Sequence, residues 1–559
     1  MTTGMDQPMD HGTHQGMGQS TDRGLNPGTD PSLNAGVDTG STPRTADPST
    51  ALYDVAIVGF GPSGAVAAGL LGGQGLTVHV CDRQHTVYDK PRAIAIDHEI
   101  LRVFQQLGIV DAIAAHVEPF TPSEYFGVDG QLIKRLTMIE PPYPLGYTPS
   151  NVFSQPPVEQ ALRDHVRSLP NVTVALGASV TAVTQNDAAV TLSVTHDDGR
   201  TDTVRARYVV ACDGASSFVR EQVGITLEDL QFDEPWLVVD VLANERGLAK
   251  LPTTSVQYCE AERPCTIVIG PGNHRRWEIS LKEGEDPVKV TQPEETWKLL
   301  SRWITPDDGE LWRQASYRFH ALVADRWRAG RVFVAGDAAH QQPPFLGQGM
   351  CQGVRDVANL SWKLGAVLRG DVQGGAADRL LDSYGDERKA HVQELTSRIK
   401  AIGAVICERD IDKARARDAH LLQESGGVVR DTPRQDVIPP LGTGLLAPAA
   451  NPARGTLFPQ PWLRQDGQDV RLDAVAGNGW LLVLGAGYDG PAPSTQGIPG
   501  LRVLRLDDTL PEKEGVAAAW FERHGSTAAL VRPDRYVYGT AASGQALADL
   551  TRRLADTLA

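Results

Sequence analysis

Leu52-Tyr53-Asp54-Val55-Ala56-Ile57-Val58-Gly59-Phe60-Gly61-Pro62-Ser63-Gly64 is the stretch on which the fold turns. Leu52 to Val58 is a short apolar run closed at once by glycine, the pattern of a buried parallel strand. Pro62 to Gln74 is small and apolar with proline near its start, which predicts a helix, and Leu76 to Cys81 predicts a second strand. Strand, glycine turn, helix and strand make a βαβ unit. Within it Gly59 permits the tight turn, Gly61 lets backbone approach a pyrophosphate, and Gly64 lets helix and strand pack closely. The helix start offers free N–H groups and its positive end to phosphates. Asp82 closes the second strand, 21 residues after Gly61, where an acid can accept hydrogen bonds from a ribose.

Working outward, Thr203 to Cys212 and Arg331 to Ala335 each read as a strand running into a glycine turn. Between them, 226–315 is rich in Trp, Tyr and Val and predicts an inserted, mostly antiparallel sheet. Helices dominate 347–408, and a Pro/Gly-rich passage around 432–461 reads as a linker. The last hundred residues predict a small α/β unit ending in a helix with Leu547, Leu550, Leu554 and Leu558 on one face. Gly485-Ala486-Gly487-Tyr488-Asp489-Gly490 repeats the glycine spacing, but Pro491, Pro493 and Pro499 follow it, so a plain loop is expected. Residues 1–50 hold no aromatic residue and no Ile and are expected to be a disordered tail; His11 and His14 there read as solvated rather than metal-binding.

Composition narrows the function classes. With 41% hydrophobic and 22% charged residues over 559 positions, the chain can build several packed domains. Its net charge of −16 disfavours nucleic acid or anionic membrane as the main partner. Six cysteines without a Cys-x-x-Cys pair exclude a zinc ribbon or a dithiol redox motif. No apolar stretch is long enough to span a bilayer and none precedes Arg23, so the expected location is the cytoplasm.

Two further constellations carry chemistry. Val209-Val210-Ala211-Cys212-Asp213-Gly214 ends a strand in an Asp-Gly turn, with Ser217, Val219 and Arg220 beyond. Gly336-Asp337-Ala338-Ala339-His340 is followed by Pro343-Pro344-Phe345-Leu346-Gly347-Gln348-Gly349. Asp337 can accept a hydroxyl hydrogen bond, and Gly347 and Gly349 expose N–H groups at a helix start that can stabilise anionic charge. One nucleotide turn plus a distant anion-stabilising turn fits FAD better than NAD alone.

These three motifs, in this order, resemble the group A flavoprotein aromatic hydroxylases, the p-hydroxybenzoate hydroxylase and phenol hydroxylase class. Lys90-Pro91-Arg92-Ala93-Ile94-Ala95-Ile96-Asp97, the stretch from Asn151 to Pro156, Asn359-Leu360-Ser361-Trp362-Lys363-Leu364 and Val531-Arg532-Pro533-Asp534-Arg535-Tyr536 narrow the likeness to the 3-(3-hydroxyphenyl)propionate and 3-hydroxycinnamic acid hydroxylases. The resemblance implies an α/β fold: a Rossmann-like FAD-binding domain (51–225 and 316–408), an antiparallel-sheet substrate domain (226–315), helix and linker (409–461) and a thioredoxin-like C-terminal domain (462–559) without cysteine. It implies that Gly59, Gly61, Gly64 and Asp82 hold the ADP half of FAD, and that Arg92 and Gln155 lie near the flavin and ribityl chain. Asp213 is implicated in FAD and reduced-nicotinamide binding. Gly336 and Asp337 would hold the ribityl hydroxyls, with Pro343, Gly347 and Gly349 against the isoalloxazine.

Oxygen transfer is then the work of a flavin C4a-hydroperoxide, with NADH or NADPH and O2 as co-substrates, and no catalytic side chain or metal is named. The expected reaction is ortho-hydroxylation of 3-(3-hydroxyphenyl)propanoate and 3-hydroxycinnamate to 2,3-dihydroxy catechols. The alternative is a same-fold oxygenase acting on another phenol or a polyketide, and a homodimer remains compatible. Arg263, Arg275 and Arg276 are the cations offered for the substrate carboxylate, each also readable as a surface charge. Two departures stand out: Asp82 where Glu is commoner, and Cys351 where many relatives carry Asn.

Overall fold

A computed structural model describes residues 51–559 except 449–450 and 492–493; the expectations for 1–50, including His11 and His14, and for Pro493 lie outside the described residues. The first strand forms at Leu52–Val58 and pairs in parallel with Val78–Asp82 on one side and Thr201–Ala211 on the other. The sheet runs in the order Arg328–Ala329, Val332–Val334, Thr201–Ala211, Leu52–Val58, Val78–Asp82, Val172–Leu176. Its strands are near-continuous apolar runs because helices cover the sheet: Val55, Ala56, Ile57, Val80 and Val209 are fully buried. Two antiparallel strands, Ala178–Gln185 and Val190–His196, extend Thr201–Ala211 outward.

The first helix, Pro62–Gly72, is buried along nearly its whole length, which its small residues allow. It packs between Gln155–Ser168 and Gly349–Leu368. The approach to the latter is set by glycine: a Cβ on Gly353 would collide with Ser63 Oγ and lie 3.1 Å from Gly336 Cα.

The second sheet is wider than the 226–315 insertion. Its order is His340–Gln341, Gly309–Ala324, Leu227–Ala243, His274–Ser280, Cys265–Ile269, Ser255–Tyr258, Ser123–Phe126, Leu132–Thr137, Asp431–Pro433. Strands from 123–137 and 431–433 join it because Ser255–Tyr258 pairs in parallel with Ser123–Phe126, a contact between distant segments that no local pattern announces. The pleat gives the sheet two faces. Leu237, Val239, Val241, Ile267, Trp277 and Ile279 point to one side, where Leu251, Leu300 and Ile304 cover them. Asp240, Gln257, Thr266, Arg276 and Glu278 alternate with them and belong to the other.

The C-terminal unit has a four-stranded sheet, Arg502–Arg505, Leu481–Leu484, Ala528–Val531, Val537–Ala541, with one parallel and two antiparallel pairings. Leu547, Leu550, Leu554 and Leu558 of the last helix, Gly544–Leu558, pack on it. Among the described residues, the 485–490 turn leads into no helix before Val516–Arg523. Among the described residues no helix is long and apolar enough to cross a membrane.

Candidate active site

The three turns meet. Gly59, at φ +99°, lies so close to the Asp-Gly turn that a Cβ there would strike the Cys212 carbonyl oxygen, and a Cβ on Gly64 would strike the Gly59 carbonyl oxygen. A Cβ on Gly336 would stand 2.8 Å from Ser63 Oγ, and one on Gly347 2.8 Å from Ala95 Cβ. Gly61, Gly214 and Gly349 are different: a Cβ at each meets nothing within 4 Å. The first group of glycines is needed for packing, whereas the second leaves bare backbone facing open space. Neither Pro62–Gly72 nor Gly349–Leu368 has a side chain capping its N-terminus, so both present unpaired N–H groups. Open backbone at Gly61 beside an uncapped helix leaves room and free N–H groups for a pyrophosphate, and the residues present fit FAD.

The acids and amides divide by what they already hold. Asp82 accepts the Phe60 N–H at 2.6 Å on one oxygen and the Gln84 N–H at 2.7 Å on the other, pinning the carboxylate against the first turn. Asp213 turns inward: it accepts from Ser217 Oγ at 2.5 Å and from the Val219 N–H at 3.0 Å, and burial pushes its carboxyl up. Its part is to hold the turn that exposes Gly214. Gln155 is buried, and its Oε1 accepts the N–H groups of Arg92 and Ala93 at 3.2 and 2.6 Å, so it shapes the 90–93 segment from beneath.

Asp337 makes no hydrogen bond through its side chain among the described residues; it is half-exposed, with Arg92 Nη2 at 4.0 Å. That leaves a carboxylate and a guanidinium together at the mouth of the third turn. Pro343 is buried, and Gly347 N–H donates to the Pro344 carbonyl at 2.6 Å, closing the loop tightly. Gln348 accepts from Arg355 at 2.9 Å, and Arg355 is held in turn by Asp97 and Glu99. Cys351 is fully buried with its thiol on the Ala95 carbonyl; burial pushes its pKa up, so it is inert.

His340 is structural. Its Nε2 lies 2.8 Å from Asp356, which also accepts from Gly336 N–H and Arg388, and its ring stacks on Trp327. Burial would raise the Asp356 carboxyl, but His340 and Arg388 hold it down. Among the described residues no group of three or more His, Cys, Asp or Glu could hold a metal ion.

The three arginines offered for a substrate carboxylate are all engaged. Arg263 pairs with both oxygens of Glu285, and Arg275 donates to the Gly272 and His274 carbonyls. Arg276 is no surface charge: it is buried on Asp240 and reaches the Pro91 and Arg92 carbonyls. Burial would raise Asp240, yet Arg276 and His274 keep it at about 2.

Two residues escaped the sequence reading. Arg434 has no ion-pair partner among the described residues; it donates to Ser123 Oγ at 3.2 Å and the Leu346 carbonyl at 3.0 Å and covers the Phe120 ring at 4.2 Å. Glu278 is buried with no hydrogen-bond or ion-pair partner among the described residues, and burial pushes its carboxyl up to about 7. The alternation His274, Arg276, Glu278, Ser280 against Arg275, Trp277, Ile279 was a visible sign of a polar inner face. Nothing in the linker sequence singled out Arg434.

Comparison with known proteins fits this geometry. Residues 52–399 match the FAD binding domain family, and 491–557 match the HcaD C-terminal domain. A probable NADH-specific resorcinol 4-hydroxylase from Rhodococcus jostii (strain RHA1) is 36% identical, covering 90% of this chain and 95% of that protein. A 3-(3-hydroxy-phenyl)propionate/3-hydroxycinnamic acid hydroxylase from Burkholderia cenocepacia (strain HI2424) is 32% identical over 90% of this chain and 98% of its own. Aklavinone-11 hydroxylase, solved with FAD and aklavinone, superposes with a TM-score of 0.73 at 25% identity, over 90% of this chain and 99% of that one. The flavin-dependent monooxygenase PieE shares the fold, with a TM-score of 0.74 at 21% identity, over 91% of this chain and all of that one. With the open backbone at Gly61, the Asp337 turn and these likenesses in agreement, the chain belongs to the FAD-dependent aromatic hydroxylases.

Proposed function

We propose that the protein hydroxylates 3-(3-hydroxyphenyl)propanoate and 3-hydroxycinnamate ortho to the ring hydroxyl, using NADH and O2. The observation that carries the choice of an acidic phenol is Arg434, a guanidinium with no acidic partner among the described residues that sits on the Leu346 carbonyl of the Pro343–Gly349 loop. FAD, when bound, supplies the electron transfer and oxygen activation that side chains cannot.

The chain's own residues do the rest. Gly61 backbone and the Pro62–Gly72 N-terminus would hold the pyrophosphate, Asp82 the ribose and Asp337 the ribityl hydroxyls. The uncapped start of Gly349–Leu368 would stabilise negative charge placed against it. Arg434 would anchor the substrate carboxylate. Phe345, packed on Trp236 at 5.6 Å, would help keep the ring's surroundings dry.

A second reading has its own support: the resorcinol hydroxylase relative acts, by its name, on a phenol without a carboxylate. Chromatographic product identification, with NADH and O2 consumption measured together, separates the two. Tight coupling on the 3-hydroxyphenyl acids, lost selectively in Arg434→Gln, is the expected result. Coupled turnover on resorcinol with peroxide release on the acids would favour the second reading. Phenylpropanoate, lacking the activating hydroxyl, should at most drive NADH oxidation without product.

A further inference from the structure

The polar face of the second sheet is bounded at both ends by the flavin-binding elements. At one end Arg276 and Arg313 donate to the Pro91 carbonyl, and Arg276 also reaches the Arg92 carbonyl. At the other, Trp236 meets Phe345 of the Pro343–Gly349 loop edge to face. Glu278 stands between them: it follows Arg276 by two residues on the same strand, and it pairs across to Val238, which lies between Trp236 and Asp240.

On its other side Glu278 begins a cross-strand row, pairing with Thr266, which pairs with Gln257, which pairs with Tyr125. All four are buried. Thr266 Oγ donates to Gln257 Oε1 at 2.5 Å, but Glu278 and the Tyr125 hydroxyl have no hydrogen-bond partner among the described residues. Neither the Glu278 oxygens nor the Tyr125 hydroxyl is among the fully enclosed polar atoms that lack a partner, so both border open space on this face, and a carboxyl with no protein partner there is placed to take one from a ligand. Arg276 does not serve, because its guanidinium is committed to Asp240 and the 91–92 carbonyls.

We propose that Glu278 is the substrate-binding residue that accepts the hydrogen bond of the phenolic hydroxyl, and that it thereby fixes which ring carbon is presented for hydroxylation. This rests on the phenol reading of the preceding section. Burial lifts the carboxyl to about 7, with Arg276 opposing and Asp240 adding to the rise, so at mildly alkaline pH it is an ionised and strong acceptor. A site built around such an acceptor rejects an analogue that cannot donate, because the carboxylate is then left unpaired.

The test is calorimetric titration of the FAD-loaded protein, without NADH, at pH 8. The probes are 3-(3-hydroxyphenyl)propanoate, resorcinol, and the methyl ether of the acid, whose oxygen cannot donate. Wild type should bind the acid at least about tenfold more tightly than its ether. Glu278→Gln, which keeps only a neutral and weaker acceptor, should clearly lower that ratio while the flavin-to-protein absorbance ratio stays at the wild-type value. Glu278→Asp, which keeps the charge but withdraws it by one methylene, should fall between, and it carries the test if the amide disturbs folding. A merely structural role would weaken acid and ether alike. An unchanged ratio in both variants overturns the assignment of Glu278 alone, with the phenol reading intact. A wild type that binds neither the acid nor resorcinol overturns that reading, and this proposal with it.

Discussion

Gly61 and Gly64 sit three residues apart in one motif but answer to different constraints. At Gly64 any side chain meets the backbone of Gly59, so substitution there breaks the turn itself. At Gly61 the backbone is extended, with φ −71° and ψ −173°, and a Cβ meets open space, so Gly61→Val should fold normally. What it should lose is FAD, since the branched side chain fills the room proposed for the pyrophosphate; a purified variant with full flavin absorbance would refute the assignment. Glu278 gives a second residue-scale expectation. Its carboxyl is raised from 4.5 to about 7 in the folded protein, so the native state holds the proton more tightly than the unfolded chain. Stability contributed by that proton is complete below pH 4.5 and is lost as pH rises through 7. Wild type should therefore lose up to about 3 kcal/mol relative to Glu278→Gln between pH 4.5 and 8, measured by urea unfolding of the substrate-free protein. Parallel curves for the two proteins would contradict a buried, unpartnered carboxyl.

Among the elements, the crossing of Pro62–Gly72 by Gly349–Leu368 aligns the nucleotide turn with the Asp337 turn. Gly353, Ser63 and Gly336 form that crossing, and the contact leaves no room for a methyl group. Gly353→Ala should cost about 1–3 kcal/mol and weaken FAD retention together, because the helix must shift and carry Gly349 with it. Ser63→Gly in the same chain should recover part of both, since Ser63 Oγ is the nearest obstacle; no recovery would place the strain elsewhere. The strand–turn–helix logic of this crossing was legible from 52–82, and its helix began at Pro62 as read, ending two residues before the expected Gln74. The wall of the proposed substrate site was less legible. Its strands Ser123–Phe126, Leu132–Thr137 and Asp431–Pro433 are short and come from outside 226–315, and short edge strands carry little local signal.

Across the whole molecule, the C-terminal unit is joined to the flavin-binding domain by buried charge. Arg532 donates to Glu387 at 2.7 and 3.0 Å and to Asp534, Lys363 meets Glu387 at 2.8 Å, and Asn359 and Trp362 donate to Asp534. Burial would raise Glu387, but Arg532 and Lys363 hold it at about 2, while burial brings Lys363 down to about 8. Arg532→Met leaves Glu387 with Lys363 as its one cation and Asp534 with only the neutral donors Asn359 and Trp362, and should cost about 3–5 kcal/mol in denaturant unfolding, though Arg532 touches none of the three glycine turns. A loss below about 1 kcal/mol would mean that water already relieves the cluster. The unit also reaches the candidate site: Tyr536 donates to Glu99 at 2.8 Å, Glu99 holds Arg355, and Arg355 holds Gln348 of the Pro343–Gly349 loop. Removing 462–559 uncovers Arg102, Glu387 and Trp362 together, so altered size-exclusion behaviour and lower solubility are expected; a well-behaved truncated protein that no longer accepts electrons from NADH would argue instead for a direct part in reduction.

The sequence by itself determined the nucleotide-binding unit, the order of the three turns and the identity of the cofactor, because those features are local: a strand, a glycine spacing and a helix start within a few residues of one another. It also singled out Asp337, whose carboxylate the fold leaves without a hydrogen-bond partner among the described residues. Only the tertiary structure decided what each charged side chain was available to do. Asp213 and Gln155 proved to hold backbone, and Arg263, Arg275 and Arg276 proved to be engaged, while Arg434 and Glu278 were left without charged partners among the described residues. The availability of a charge depends on what long-range pairing brings within about 4 Å of it, and strand register, not composition, sets that distance.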